Sequence, residues 1–391
     1  MNLAFHARWN LATCTAALAL LSWSSACGAA TFIVDGSSAA CSDSGSGSVV
    51  QPYCTISAAL RDRGGPGVTI AVRPGIYREQ VSVPASGAAG SPLVIQAAAG
   101  GVVVDGADDF GSASQWALFS GDVWLASSVT WSPNQVFLDG ARIDSSSSAP
   151  GSLAPRTYRW VSGSGLYVNS GGGSPDGHRA RVGHRNYGFA LSSRSWVVVD
   201  GFTVTGTEDR GIHLSGSCSN VTVSHDTVSF ANKMGIYTTG ASAIVIRSNM
   251  VHDCNHHGIA LTAGTTGCTV EDNESFRNAV PGVRSANGIY LYGSPGNVLR
   301  RNRTHAGVRG RRIVGARQAV GVVLRPVRRA RVAVVDRSRT RPEVEISGRP
   351  VDEARVGLER VGVLTAGGRV QSHGGVEIEA VLDHARGARI P

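Results

Sequence analysis

Short alternating runs of apolar and polar residues repeat along the middle of the chain, from Val197 to His305. Each unit contains a Gly-Ile pair, and these pairs begin at residues 211, 235, 258 and 288, in steps of 24, 23 and 30 residues. Alternation over three or four residues predicts strands, and neither a helical nor a heptad period is present. Because Gly, Asn or Asp separates the runs, each unit predicts three short strands joined by tight turns.

A single unit of this length cannot bury its own apolar side chains, but a stack of units forms one continuous core. We therefore predict a solenoid in which the isoleucines of the Gly-Ile pairs stack inwards as one ladder, formed by Ile212, Ile236, Ile259 and Ile289. A second ladder is predicted at a turn, because stacked Asn side chains can hydrogen-bond along the axis and tolerate left-handed backbone. Its members are Asp226, Asn249, Asn273 and Asn302. A β-propeller does not fit this period, since its blades need about 40 residues.

The chain opens on a different pattern. A strand at Thr31–Gly36 is followed by an Ala-Leu segment at Thr55–Leu60, and then by a strand from Val68 that leads into Pro74-Gly-Ile-Tyr-Arg-Glu. This opening and the repeat resemble the right-handed parallel β-helix proteins of the pectate-lyase-like superfamily, over about residues 31–305. The resemblance is specific for the fold and implies little about the reaction. The predicted fold class is all-β, a right-handed parallel β-helix with a short N-terminal cap and an irregular C-terminal tail.

These patterns divide the chain into five segments. They are a signal peptide at 1–30, a cap with the first coils at 31–106, an aromatic β-rich insertion at 107–195, regular coils at 196–307 and a basic tail at 308–391. The aromatic residues of the insertion are Trp116, Trp124, Trp131, Tyr158, Trp160 and Tyr167. The favoured interpretation is that they pack on the flank of the solenoid. The alternative is a wall on which sugars stack, because apolar ring faces match the C–H faces of sugars.

The first segment has the layout of an export signal. An apolar stretch at Leu11–Trp23 is followed by small residues near Ala29, which predicts cleavage there and a secreted or periplasmic protein. A lipid anchor at Cys27 is the less favoured alternative.

The cysteines are interpreted in the light of export, which implies an oxidising compartment. Cys41 and Cys54 lie close together in a polar, loop-like stretch, and we predict a disulfide between them. Cys218, Cys254 and Cys268 lie inside apolar repeats, where buried thiols are expected.

The formal net charge of +9 is concentrated in the tail. Residues 308–391 hold 17 Arg against 9 acidic residues, a net charge of +8. The rest of the chain is therefore nearly neutral, and no nucleic-acid partner is expected for the coils. The repeat is lost in this tail, for which three explanations are open. A shifted reading frame in a GC-rich gene is favoured over a genuine basic tail and over a small separate domain.

Candidate chemistry lies in the polar residues near the Gly-Ile pairs, since no P-loop, His-Glu-x-x-His or Gly-x-Ser-x-Gly motif is present. Stacking would bring these residues together on successive coils. We predict catalytic roles for Lys233, Arg210 and His256, substrate contacts for His213, Tyr237 and His257, and a metal pair at Glu208 and Asp209. The competing interpretation is that they are solvated turn residues.

The chemistry that these residue types suggest is β-elimination on a uronic-acid polymer. An acidic pair can hold Ca²⁺ against the sugar carboxylate, and a cation such as Lys233 or Arg210 can take the neighbouring proton or stabilise the enolate. The predicted function is a secreted carbohydrate-active protein, lyase-like if active. The alternative is a non-catalytic β-helix that binds glycans or serves as a surface structure. The expected partner is a polysaccharide, and we expect a monomer with no membrane span.

Overall fold

The computed structural model shows a solenoid of stacked coils, each built from three short strands. It describes residues 30–278 and 287–305, and beyond them only the backbone of five strands between residues 312 and 382. Residues 1–29 of the predicted signal peptide, with Cys27, lie outside the described residues, and Ala30 begins the first strand. Among the described residues, no helix is long and apolar enough to cross a membrane.

The strands of the coils form three parallel sheets that run along the solenoid axis. The first sheet consists of Ala30–Val34, Val68–Val72, Leu93–Ala97, Val197–Asp200, Thr222–Ser224, Val245–Arg247, Thr269–Glu271 and the start of Val298–His305. The second consists of Gly75–Tyr77, Val102–Asp105, Thr203–Thr205, Thr227–Ser229, Met250–His252, Glu274–Phe276 and the end of Val298–His305. The third consists of Val81–Ser82, Tyr187–Ser192, Arg210–Ser215, Ile236–Thr239, Ile259–Thr262 and Ile289–Tyr292. The predicted three-strand coil is therefore confirmed.

The inward ladder of isoleucines is also confirmed. In the third sheet Ile212 pairs with Ile236, Ile236 with Ile259 and Ile259 with Ile289, and all four side chains are fully buried. The glycine before each isoleucine has a steric reason. A Cβ on Gly235 would lie 2.3 Å from Val251 Cγ1 and 2.8 Å from the Gly258 carbonyl oxygen. Glycine therefore precedes each isoleucine because a side chain at that position would collide with the neighbouring strand or coil.

The second predicted ladder is present at the turn between the first and second sheets. The Asn249 side-chain oxygen accepts from the Asp226 backbone N–H at 2.9 Å, and the Asn273 oxygen accepts from the Asn249 N–H at 3.0 Å. The Asn273 N–H in turn donates to the Asn302 side chain at 3.1 Å. These buried amides satisfy backbone groups that a tight turn leaves without a partner.

The N-terminal cap holds the helix Ile56–Arg63, whose first turn is capped by the Thr55 side chain. The predicted disulfide between Cys41 and Cys54 is present, with a Cα–Cα distance of 4.9 Å. The three cysteines of the repeats, Cys218, Cys254 and Cys268, are buried free thiols, as expected.

The insertion leaves the solenoid after the second sheet and returns to it at the third. Its eight strands, mostly antiparallel, form a separate sheet. They are Ala107–Asp109, Ala117–Ser120, Val123–Ala126, Val136–Leu138, Ala141–Ser145, Thr157–Val161, Gly165–Asn169 and Arg181–Gly183, with 3-10 turns at Ala113–Gln115, Pro150–Ser152 and Pro175–His178. The next strand, Tyr187–Ser192, already belongs to the coils.

Beyond His305 the pairing of the strands changes. Arg312–Ala316 and Arg331–Val335 continue the third sheet in parallel. Val320–Arg328, Ala354–Arg355 and Gly375–Leu382 pair antiparallel instead. These described strands thus depart from the all-parallel coil, and the origin of the tail stays a prediction.

Candidate functional site

The coils stack the predicted residues at the turn that enters the third sheet. The Lys233 backbone N–H donates to the Asp209 carbonyl oxygen at 2.7 Å, and the His256 N–H donates to the Lys233 carbonyl oxygen at 3.0 Å. The three residues therefore lie on successive coils, about 5 Å apart along the axis. The stacking expected from the repeat is confirmed for this part of the site.

Asp209 holds two cations. Its Oδ2 lies 2.5 Å from Arg210 Nη1 and its Oδ1 lies 3.1 Å from Lys233 Nζ. Lys233 is the most exposed member, with 56% of its side chain accessible against 15% for Asp209. The group therefore presents a positive charge to the solvent over a sheltered carboxylate.

An aromatic row lies beside these cations on the outward face of the third sheet. The ring of His213 lies 4.8 Å from Tyr187 and 5.4 Å from Tyr237, centroid to centroid. The Arg210 guanidinium lies 4.4 Å from the Tyr237 ring centroid, a distance typical of a cation–π contact. Burial, and next the charge of Arg210, lower the pKa of His213 to about 4. His213 is therefore neutral at pH 7.

The two adjacent histidines differ in their surroundings. Burial, and next the charge of Lys233, lower the pKa of His256, which makes a neutral imidazole beside a cation. His257 is only 2% exposed, stacks on Tyr290 at 4.1 Å, and accepts from the Asn287 backbone N–H at Nδ1. The substrate contact predicted for His257 does not fit this burial, because its ring is used inside the fold.

Glu208 faces the insertion. Its Oε2 accepts from the backbone N–H and the side-chain amide of Asn134, at 2.5 and 2.8 Å. Burial raises the pKa of Glu208. The pair predicted to hold calcium therefore does not fit that ion, which takes six to eight oxygen ligands. Glu208 is turned to Asn134, and both oxygens of Asp209 face cations. No group of three or more His, Cys, Asp or Glu side chains suited to a metal occurs in the part of the chain that the structure describes.

The aromatic residues predicted for the insertion lie in cores that belong to the insertion itself. A separate core includes Trp116 and Tyr158, with Trp124, Trp131 and Trp160 packed against it. This corrects both sequence interpretations, since the rings neither cover the flank of the solenoid nor form an open wall. Burial of apolar area inside a separate sheet explains the difference, because the insertion needs a core of its own.

Polar contacts fix the insertion to the turns of three successive coils. Gln135 donates to the Thr207 carbonyl oxygen at 2.7 Å, and Arg142 donates to the carbonyl oxygens of Ala231 and Asp253 at 3.1 and 2.7 Å. Burial lowers the pKa of Arg142 to about 10. The insertion thus forms one side of the surface that holds Asp209 and Lys233.

Sequence reasoning missed a second polar group at the root of the insertion. Asp108 lies 2.6 Å from Arg185 Nη1 and 2.7 Å from His184 Nδ1, and the His184 ring stacks on Trp131 at 4.0 Å. The sequence gives little sign of this ion pair, because Asp108 and Arg185 are 77 residues apart. Their approach depends on where the insertion leaves and rejoins the coils, which the repeat does not reveal.

Comparisons with known proteins agree with this architecture. A family model described as a right handed beta helix region matches residues 157–323. No curated protein sequence matches the chain. Among solved structures, XylC, determined in complex with xylose, matches with a TM-score of 0.59 at 16% identity, over 74% of this chain and 60% of XylC.

Two further structures match less well. The GH136 lacto-N-biosidase from Eubacterium ramulus matches with a TM-score of 0.44 at 12% identity, over 71% of this chain and 52% of the enzyme. Pectate lyase Pel9A matches with a TM-score of 0.38 at 15% identity, over 74% of this chain and 64% of the lyase. The chain thus spans a little over half the length of XylC and of the lacto-N-biosidase. The three parallel sheets, the family match and the XylC match agree on one architecture: the chain folds as a right-handed parallel β-helix.

Proposed function

We propose that this protein is a secreted or periplasmic carbohydrate-active β-helix that acts on an acidic polysaccharide by β-elimination. The observation that carries the proposal is the pair of cations on Asp209, set between the neutral imidazoles of His213 and His256. Elimination from a uronate needs both a positive charge for the carboxylate and an uncharged base for the proton beside it.

The roles divide according to charge. Arg210 and Lys233 bind the sugar carboxylate and stabilise the negative charge that develops on it when the neighbouring proton leaves. His256, neutral because its pKa is lowered, accepts that proton. The C–H electron pair forms a C=C bond, the bond to the leaving sugar oxygen breaks, and that oxygen takes up a proton from solvent, to which His256 returns the one it accepted. One polymer chain becomes two without consuming water.

His213 and Tyr237 contact the sugar ring in this proposal. Both are partly exposed on the outward face of the third sheet, and aromatic faces suit the C–H faces of sugars. No step is assigned to calcium, because Glu208 and Asp209 already have other partners.

Export is supported by the disulfide between Cys41 and Cys54, because disulfides form and persist in oxidising compartments. A pectate lyase, an alginate lyase and an alginate epimerase are among the structures that match, and their substrates enter the proposal only as candidates for testing.

The test is an absorbance assay for unsaturated uronates on pectin, alginate and glycosaminoglycans. We expect Lys233→Ala to abolish turnover and to leave the melting temperature nearly unchanged, because an exposed ion pair contributes little to stability. Arg277→Ala is the matched control. Arg277 is 55% exposed and pairs with Asp253 much as Lys233 pairs with Asp209, so this variant should keep full activity. Full activity in Lys233→Ala would contradict the proposed site.

A glycan-binding protein without turnover is the second candidate. The row Tyr187, His213 and Tyr237 favours it, because stacked rings alone can bind a sugar chain. Retention on a polyuronate column with no unsaturated product from any substrate would support this function over the lyase.

A further inference from the structure

An exposed tryptophan lies at the turn that leaves the third sheet. Trp196 is 36% exposed and has a left-handed backbone, with a φ of 57°, which is unusual for a bulky side chain. The candidate site lies at the opposite end of the third-sheet strands, where the chain enters them. A strand such as Tyr187–Ser192 is about 20 Å long, so Trp196 lies outside the candidate site.

The backbone at this turn position is the same on five successive coils. Strand pairing in the first sheet aligns Trp196 with one residue in each of the next four coils. These are Asn220, Ala243, Gly267 and Gly296, and all have a left-handed backbone, with φ between 52° and 68°. Asparagine and glycine adopt this conformation at a lower cost than tryptophan does. The needs of the turn therefore do not explain why Trp196 is present.

Phe230 shows how a left-handed aromatic residue is used elsewhere on this solenoid. Its φ is 53°, and its ring lies 5.8 Å from the ring of Phe137 and 5.1 Å from the Arg142 guanidinium, both in the insertion. Trp196 differs, because no ring or guanidinium among the described residues stacks on it and none of them accepts from its indole N–H. The indole face and its N–H are therefore both open to a ligand.

The surroundings of Trp196 indicate the kind of ligand. Ser192 and Ser193 are exposed, Asn220 is partly exposed one coil further on, and no described residue bonds the Asn220 side-chain amide. A protein partner does not fit, because a stable interface buries about 800 Å² on each side, whereas a tryptophan side chain offers about 250 Å². A sugar ring fits, since its C–H face packs on an indole and its hydroxyl groups bond to N–H and amide groups.

We propose that Trp196 and Asn220 form a glycan-binding site, which recognises a pyranose ring by its C–H face and its hydroxyl groups and needs no acidic group. The site anchors a polysaccharide to the solenoid away from the turn where cleavage is proposed. It does not depend on the proposed function, because it uses neither the cations nor the histidines of the candidate site.

The experiment titrates the purified protein by calorimetry with neutral β-1,4-linked hexasaccharides of xylose, glucose and mannose. Neutral probes are used because the cations on Asp209 need an acidic group. We expect the wild type to bind at least one probe. Trp196→Asn should bind that probe at least tenfold more weakly, through loss of the ring contact, and Asn220→Ala about fivefold more weakly, through loss of one hydrogen bond.

Both variants should keep the fold, because each introduces the residue that the next coil has at this turn position. We expect the melting temperature to fall by less than about 3 °C. If Trp196→Asn nevertheless melts well below the wild type, Asn220→Ala decides the case. Phe119→Asn is the matched control, since it removes another exposed aromatic ring, in the insertion, and it should bind the probe as the wild type does.

A second measurement locates the sugar. The indole N–H signal that is missing from the NMR spectrum of Trp196→Asn should shift when the wild type is titrated with the bound probe. A wild type that binds none of the probes would overturn the site, and so would equal affinity in the wild type and both variants. A shift confined to other indole signals would also overturn it. The proposed function is tested separately, because the assay for unsaturated uronates does not use these probes.

Discussion

The regular coils and the insertion reach stability in two different ways. In the coils, the same buried position recurs on every turn, as in the ladder from Ile212 to Ile289. In the insertion, a single sheet encloses a core of its own, made of aliphatic and aromatic side chains, and contacts the coils through Gln135, Arg142 and the ring of Phe137. A disruptive substitution in a ladder should therefore affect the neighbouring coils as well, whereas the contact between the insertion and the coils depends on single side chains.

The substitution with the largest expected effect disrupts the isoleucine ladder. Ile259→Asp places a carboxylate where the side chain is fully buried between Ile236 and Ile289. We expect a loss of about 4 kcal/mol in the free energy of unfolding, because a buried group without partners must be desolvated. Urea denaturation followed by circular dichroism measures it.

The control applies the same substitution to an outward position. Ile76 lies on the second sheet and is 57% exposed, so Ile76→Asp should change the free energy of unfolding by less than about 0.5 kcal/mol. Equal losses in the two variants would mean that the ladder contributes no more than an exposed strand position.

A substitution with a smaller expected effect weakens the contact between the insertion and the coils. Arg142→Met removes the donors to the Asp253 carbonyl oxygen and to the Gln135 side-chain oxygen, while the Ala231 carbonyl oxygen keeps the Asn255 N–H. We expect a loss of about 2 kcal/mol, since each unmet buried acceptor costs about 1–3 kcal/mol and removal of a buried cation offsets part of that. Hydrogen exchange should rise across the turns at 207, 231 and 253 and stay unchanged in the ladder strands.

Arg159→Met is the matched control for this change. Arg159 also donates to backbone carbonyl oxygens, those of Ser147 and Ser148, but it does so within the insertion and in an exposed position. Water can replace these bonds, so exchange at the coil turns should not change. A rise of the same size in both variants would show that Arg142 does not fasten the insertion to the coils.

The contrast also explains what the sequence could predict. The ladder, the turn amides and the stacking of Asp209, Lys233 and His256 follow from a period, and each is found where the period places it. The partners of Glu208 and Arg185 come from the insertion, 74 and 77 residues away in the chain. Such contacts carry no periodic signal. The sequence therefore predicted which residues stack on successive coils, and it missed the contacts from the insertion that neutralise or cover them.

One position in the coils departs from its own ladder. Asp226 stands where the next three coils have asparagine, and it is fully buried. Its Oδ1 accepts from the Phe202 N–H at 2.7 Å, while no described residue bonds its Oδ2. The corresponding amide nitrogen of Asn249 donates to the Val223 carbonyl oxygen at 3.0 Å and to Asn273 at 2.9 Å. A carboxylate cannot donate at that place, and a protonated acid or an amide can.

The substitution with the smallest expected effect replaces Asp226 by the asparagine that the other coils have at this position. Burial raises the pKa of Asp226 well above its usual value, so the folded protein keeps a proton that the unfolded chain releases above about pH 4. Wild-type stability should therefore fall as the pH rises from 4 to 7 through this group. Asp226→Asn removes that slope and supplies the missing donor. We expect it to stabilise the protein by about 1 kcal/mol at pH 7 and by less at pH 4.

Asp272→Asn is the opposite control for this prediction. Asp272 is 42% exposed and pairs with Arg301, whose hydrogen bond lowers the pKa of Asp272. A carboxyl group whose pKa is lower in the folded protein stabilises the fold at pH values above its unfolded pKa. This contribution is lost as the pH falls. Replacing Asp272 should thus slightly destabilise the protein at pH 7, with the difference vanishing in acid. If Asp226→Asn is also less stable than wild type at pH 7, Asp226 is ionised in the fold and has a partner that the amide cannot replace. The turn ladder would then be a mixed one, with a charge at its N-terminal end, and not a run of equivalent neutral groups.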